Sequence, residues 1–321
     1  MLIAPPPAVP IVAVDRPTQV SAYGSGVLFS KRDAATGRFK LWYTETGRPP
    51  APLDVPDRSI PFDADLGPGA GGHFLAVYSR CRSEPRWNPI DEDAPPNYSL
   101  GRGCDIYDLD LMGGAERRLP ASSTTADETQ PTVWKDGLAF ARRYSSGKTV
   151  LYARHGGSAS RRMPGGPANG RPNGMDLYGR RLAFGWTYPG RYDGPASDLM
   201  LDDVVSGRAR LIERFRGGGL TTIALTAPAF EGGKLYYAKL CRGDESGCPH
   251  RDGLMRVRYS NGEMGRAEIG DEDLWQARGE GVTYVLHDDA GARSCHSHVA
   301  TDTCSIQATV PEYAPWPTTR R

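Results

Sequence analysis

Six cysteines, Cys81, Cys104, Cys241, Cys248, Cys295 and Cys304, carry the most legible chemistry in the chain. They fall as three local pairs, with 22, 6 and 8 residues between partners. Several pairings are open to six cysteines, and proximity favours neighbours. No C-x-x-C occurs, so neither a zinc ribbon nor a thioredoxin-type site is indicated. Three disulfides would place the protein in an oxidising compartment, secreted or in the cell envelope. Six free buried thiols are the alternative.

A second group consists of acids at positions where strands enter from links: Asp15, Asp63, Asp65, Asp127, Glu128, Asp271 and Asp273. Carboxylates that converge repel one another unless cations or Arg balance them. An oxygen-only cluster suits a hard cation such as calcium. Asp63-Ala-Asp65-Leu-Gly67 has the start of a calcium loop but not its Glu. The competing reading is solvated acids paired with the abundant Arg. A third group is aromatic: Trp87, Tyr98, Tyr144, Tyr188 and Tyr192. Such side chains either stack on sugar rings and anchor a protein partner, or pack on their own loops.

Other motifs fail on context. Gly67-Pro-Gly69-Ala-Gly71-Gly72 matches G-x-G-x-x-G by letter, yet it runs into a strand and contains Pro. No P-loop, H-E-x-x-H or G-x-S-x-G is present. His296 and His298 beside Cys295 and Cys304 would make a zinc cluster only with free thiolates. No catalytic residue and no organic cofactor are assigned.

The elements that hold these residues follow from composition and repetition. Gly (39) and Pro (27) are too frequent for a helical bundle or coiled coil. A turn followed by an apolar strand recurs six times: Gly26–Asp33, His73–Cys81, Asp136–Tyr144, Arg181–Tyr188, Gly233–Cys241 and Gly281–Asp288. Successive copies lie about 45–65 residues apart. Each is followed by a second strand, and most have a lead-in before them and a short arm after. Alternation has period two, not 3.6. Four-stranded units of this length are propeller blades, because a small sheet buries both faces only by radial stacking. The expectation is all-β: a six-bladed β-propeller of four-stranded blades over 16–310, with a Pro-rich tail at 311–321. Residues 1–15 supply a strand, Val9–Val14, that joins the last blade and covers its edge.

The residues Cys104–Leu119 and Gln130–Arg143 resemble the TolB-type repeat. Asp105, Ile106, Tyr107, Asp110, Gly113, Gly114 and Leu119 fall on its first half. Pro131, Trp134, Asp136, Gly137 and Phe140 fall on its second. The match covers about 40 residues, and the remaining copies are decayed. The whole resembles exported propellers of actinobacterial type. The resemblance implies a six-bladed fold and does not carry a function with it.

The charge is balanced, 39 basic against 38 acidic residues, which argues against a nucleic-acid partner. No apolar run reaches a membrane span. The first residues lack the basic segment and apolar core of a signal peptide. In a propeller, b–c loops and d–a links share one face, and all three cysteine pairs fall in b–c loops. The expected function is therefore a monomeric, non-catalytic binding or scaffold module. Its ligand, an envelope protein or glycan, would sit on that face over the axial channel. The alternatives are a calcium-dependent hydrolase of the lactonase kind using the acidic channel mouth, and a purely structural protein.

Overall fold

The structure is a computed structural model. It describes residues 9–14, 19–45, 47–85, 101–120, 125–190, 194–217, 222–242, 253–258, 262–267, 276–279, 282–288, 304–309 and 314–315. Among these, every regular element is a β-strand, and no helix is long and apolar enough to cross a membrane. The strands form an all-β propeller of four-stranded blades, each an antiparallel meander.

Six sheets are described, here I to VI, with strands a to d counted outward from the axis. Sheet I runs through Val20–Tyr23, Gly26–Arg32, Phe39–Glu45 and Ala51–Pro52. Sheet II holds Asp65–Pro68, Phe74–Ser83, Arg102–Asp110 and Arg117–Arg118. Sheet III holds Asp127–Trp134, Gly137–Arg143, Thr149–Arg154 and Arg161–Arg162. Sheet IV holds Arg171–Tyr178, Arg181–Pro189, Pro195–Asp203 and Ala209–Arg216. Sheet V holds Thr222–Glu231, Lys234–Arg242, Gly253–Arg258 and Glu263–Ala267. Sheet VI holds Gln276–Gly279, Val282–Asp288, Cys304–Thr309 and, outermost, Val9–Val14.

Six identical four-stranded units were expected, and five sheets keep that form. Sheet V departs from it: Ala314–Pro315, from the Pro-rich tail, pairs with Gly265 and Arg266 at its outer edge. Proline suits such an edge, where its missing N–H costs no ladder bond. The arms of sheets I, II and III are only two residues long, shorter than the repeat implies. Val9–Val14 pairs antiparallel with Cys304–Thr309, Val12 opposite Ile306.

Strand b of sheets I to V is buried and mainly apolar because neighbouring blades cover its faces. Val27, Leu28 and Phe29 are buried in succession, as are Leu138 to Ala141 and Leu182 to Phe184. The facing layers interdigitate between blades: Leu28, Phe62, Leu66 and Tyr78 join I to II, and Leu177, Phe184 and Trp186 join IV to III. Gly185 shows how close this approach is. A Cβ there would lie 1.8 Å from the Leu225 carbonyl oxygen, so only glycine lets sheet V close on sheet IV.

Candidate functional site

The first strands of III, IV and V each carry a bulge where the ladder slips: between Thr129 and Thr132, Pro172 and Met175, and Thr226 and Ala229. A bulge frees backbone groups and bends the strand. Left-handed backbone marks all three, at Gln130 (φ 51), Gly174 (φ 117) and Ala227 (φ 45). The freed groups are taken by a neighbouring blade. The Gln130 amide donates to the Pro172 carbonyl at 3.2 Å, and Gly174 N–H donates to Gln130 Oε1 at 3.1 Å.

Among the described acids of the channel side, Asp63, Asp65 and Asp127 also bond across blades. Asp63 is fully buried. It accepts from Arg58 (3.0 Å), Ser79 N–H (3.0 Å), the Ser79 hydroxyl (2.6 Å) and Gln130 N–H (2.6 Å). Asp65 accepts from the Ser21 hydroxyl at 2.7 Å and Val133 N–H at 2.9 Å. Asp127 accepts from Gly103 N–H at 2.6 Å and Arg143 at 2.8 Å, with Arg102 3.6 Å away. Glu128, buried, accepts from Arg142 Nε and Nη2 at 2.9 and 2.7 Å. The structure thus gives each acid protein donors. Among the described residues no group of three or more His, Cys, Asp or Glu side chains is arranged to hold a metal ion. Asp15, Asp271 and Asp273 lie outside the described residues.

Sequence reading missed Asp176. It accepts from Phe230 N–H at 2.5 Å, in the channel wall shared with Asp65. Burial, then the charge of Asp65, raises its carboxyl well above the ordinary range; burial raises Asp65 too. The axial cavity they line is narrow, about 60 Å³. Its a–b end is packed by aromatic rings: Trp134 lies 5.7 Å from Tyr23 and 4.2 Å from Tyr178, which lies 5.9 Å from Phe230.

The roomy site is off the axis. A groove of about 1260 Å³ opens between III and IV on the face of the b–c loops and d–a links. Its walls are the Tyr144–Lys148 turn, the link from Met163 to Arg171, and the ends of strands b and c of sheet IV. The Tyr144 N–H donates to the Lys148 carbonyl and closes the turn. Trp186 forms the floor. It is 2% exposed, and its indole N–H donates to the Pro167 carbonyl at 2.9 Å. A Cβ at Gly166 or Gly170 would come within about 2 Å of that indole, so the link is glycine-rich because the ring occupies the space of side chains. A second hollow, about 350 Å³, lies across the Tyr144–Lys148 turn and shares Arg143 and Gly147 with the groove.

Of the aromatics picked from sequence, Tyr144 and Tyr188 are brought to these two hollows. Both are half-buried with engaged hydroxyls: Tyr144 with Tyr152 at 2.7 Å, Tyr188 donating to Asp198 at 3.1 Å. Trp87, Tyr98 and Tyr192 lie outside the described residues. The Cys81–Cys104 disulfide is formed across strands b and c of sheet II, on the same face. Cys241 is also disulfide-bonded. Cys248 and Cys295 lie outside the described residues, and with them the partner assignments of Cys241 and Cys304.

No protein-family model matches the chain, and no curated protein matches its sequence. Among solved structures it is similar to TolB from Acinetobacter baumannii, with 12% identity and a TM-score of 0.49, over 78% of this chain and 53% of that one. It is similar to a puromycin-hydrolyzing peptidase of Mycobacterium tuberculosis, with 14% identity and a TM-score of 0.48, over 89% of this chain and 45% of that one. The β-propeller domain of the Trilobed protease from Pyrococcus furiosus follows at 8% identity and a TM-score of 0.43, over 85% and 78%. The chain spans about half the length of the TolB chain and less than half that of the peptidase. These likenesses add no residue to the site.

Proposed function

We propose that the protein is a non-catalytic binding propeller of an oxidising, extracytoplasmic compartment, with its ligand in the groove between sheets III and IV. The observation that carries this is the groove itself. It is a large concavity on a rigid two-blade floor, lined by loops, which is where propellers and other scaffolds place recognition. The disulfide Cys81–Cys104 on the same face supports the compartment. The axial position expected from sequence is not favoured, because the cavity there is small and its carboxylates are committed to the next blade. We further propose six blades in a closed ring. First strands pack in order from Val20–Tyr23 to Gln276–Gly279, and the last packs against the first. Val9–Val14 is then the closing strand.

The calcium-dependent hydrolase is the reading to test against. The melting temperature in excess calcium and in excess chelator should agree, and nitrophenyl esters and lactones should show no turnover above buffer. A ligand at 100 times its Kd adds about 2.7 kcal/mol, a shift of several degrees for a protein of this size. Such a shift on adding calcium, with metal-dependent turnover, would replace the binding reading.

A further inference from the structure

The groove between III and IV and the hollow beside it carry a charge that the chain as a whole does not have. The chain is nearly neutral, at +1. The two described linings hold Arg82, Arg102, Arg143, Lys148, Arg162 and Arg171 against a single carboxylate, Asp127. That carboxylate is already taken by Arg143, Arg102 and Gly103 N–H. Lys148, Arg162 and Arg171 pair with no carboxylate among the described residues. All three are exposed on this face, and the protein packed around Arg171 lowers its guanidinium from the ordinary value. Exposed cations with no carboxylate opposite them gain from an anion brought into contact with them.

Three properties decide the kind of anion. The groove alone exceeds the ~300–1,000 Å³ of small-molecule pockets, and it continues past the Tyr144–Lys148 turn into the second hollow. An extended chain fits that form better than a compact metabolite. Among the described residues no open aromatic face lines the groove: Trp186 is 2% exposed, and Tyr144 and Tyr188 are half-buried with engaged hydroxyls. Sugars and unpaired bases both need open rings to stack on. The charged donors are mainly guanidiniums, whose planar fork matches a carboxylate in two parallel hydrogen bonds.

We propose that this face binds an extended acidic peptide segment, its carboxylates meeting Arg162, Arg171 and Lys148 in the groove and the Arg82–Arg102 side beyond the turn. The proposal rests on the binding reading above and narrows it to one ligand class. The test is fluorescence anisotropy on the full chain with labelled hexaglutamate, against hexaglutamine and hexagalacturonate. Hexaglutamate should bind at low salt and weaken steeply as salt rises. Arg162→Gln and Arg171→Gln should each weaken it at least five-fold and keep the wild-type melting temperature. Arg48→Gln, 74% exposed on the c–d turn of sheet I, should leave binding unchanged. Equal binding of hexaglutamine, an equal loss in Arg48→Gln, tighter binding of hexagalacturonate, or no binding at all would each overturn the acidic-peptide assignment. A different probe that binds the wild type and loses affinity in Arg171→Gln would do so while leaving the groove as a binding site.

Discussion

Asp202, on strand c of sheet IV, is 1% exposed, and neither carboxylate oxygen has a hydrogen-bond partner among the described residues. Burial raises its carboxyl to about 7. A folded-state pKa above the unfolded value contributes stability that is fully present below about pH 4 and lost as pH rises through 7. The loss over that window is up to about 4 kcal/mol. Asp33 and Asp203 act oppositely. Hydrogen bonds from Lys40 and the Thr36 N–H hold Asp33 at about 2. Asp203 is held at about 2 by the N–H groups of Ser206 and Val205 and by Arg180, against some burial. Their contribution is present above pH 4 and lost only in stronger acid. Melting temperature should therefore rise from pH 8 to pH 5. Asp202→Asn should flatten that rise and be the more stable protein at pH 8. A variant with the wild-type pH profile would remove Asp202 from the account. Sequence could name acids but not their partners. Glu128 and Asp127 were the legible exception, since they lie opposite Arg142 and Arg143 in one hairpin. Counting back from the turn at Lys135–Asp136 comes within one residue of that pairing, and the bulge at Pro131 supplies the shift.

At the scale of elements, one device recurs from blade to blade. The Ser21 hydroxyl accepts from Leu66 N–H at 2.9 Å, Asp65 from Val133 N–H, Thr132 from Leu177 N–H at 2.9 Å, and Asp176 from Phe230 N–H. Each is a polar side chain on strand a holding a backbone N–H on strand a of the next blade. Thr132→Val keeps the shape and removes the acceptor, leaving a buried N–H unmet. The expected cost is about 1–3 kcal/mol, seen as a lower denaturant midpoint with unchanged slope, and Thr132→Ser should recover most of it. A Val variant as stable as wild type would mean the latch contributes nothing. The strands themselves were readable, because turn-plus-apolar repeats are local. The latch was not: Ser21, Asp65, Thr132 and Asp176 follow no single letter, and their equivalence exists only once blades are superposed around an axis. The same holds for the groove floor, where Gly166 and Gly170 read as loop glycines until Trp186 is seen filling the space beside them.

For the whole molecule, the sequence points to the loop face over the axis, and the proposed groove lies on that face between two blades. The b–c loops and d–a links do share one side with the Cys81–Cys104 disulfide, as propeller connectivity requires. The expectation of a ligand over the axis came from the disulfide-tied loops, and the acidic channel mouth belonged to the hydrolase alternative; of its described acids, Asp63, Asp65 and Asp127 join blades and Glu128 pairs within its own hairpin. Narrow at the axis and packed with aromatic rings at its a–b end, the propeller leaves a concavity of about 1260 Å³ between two blades. A direct test of that location uses Gly165→Trp. A Cβ at Gly165 meets no atom within 4 Å and its φ is not left-handed, so the variant should fold while its indole obstructs the groove. A random heptapeptide library is selected on the wild-type protein, and the recovered peptides are measured on both proteins. The account predicts affinities at least ten-fold weaker for Gly165→Trp at equal melting temperature. Peptides that bind both proteins equally would contradict it and place recognition on another surface.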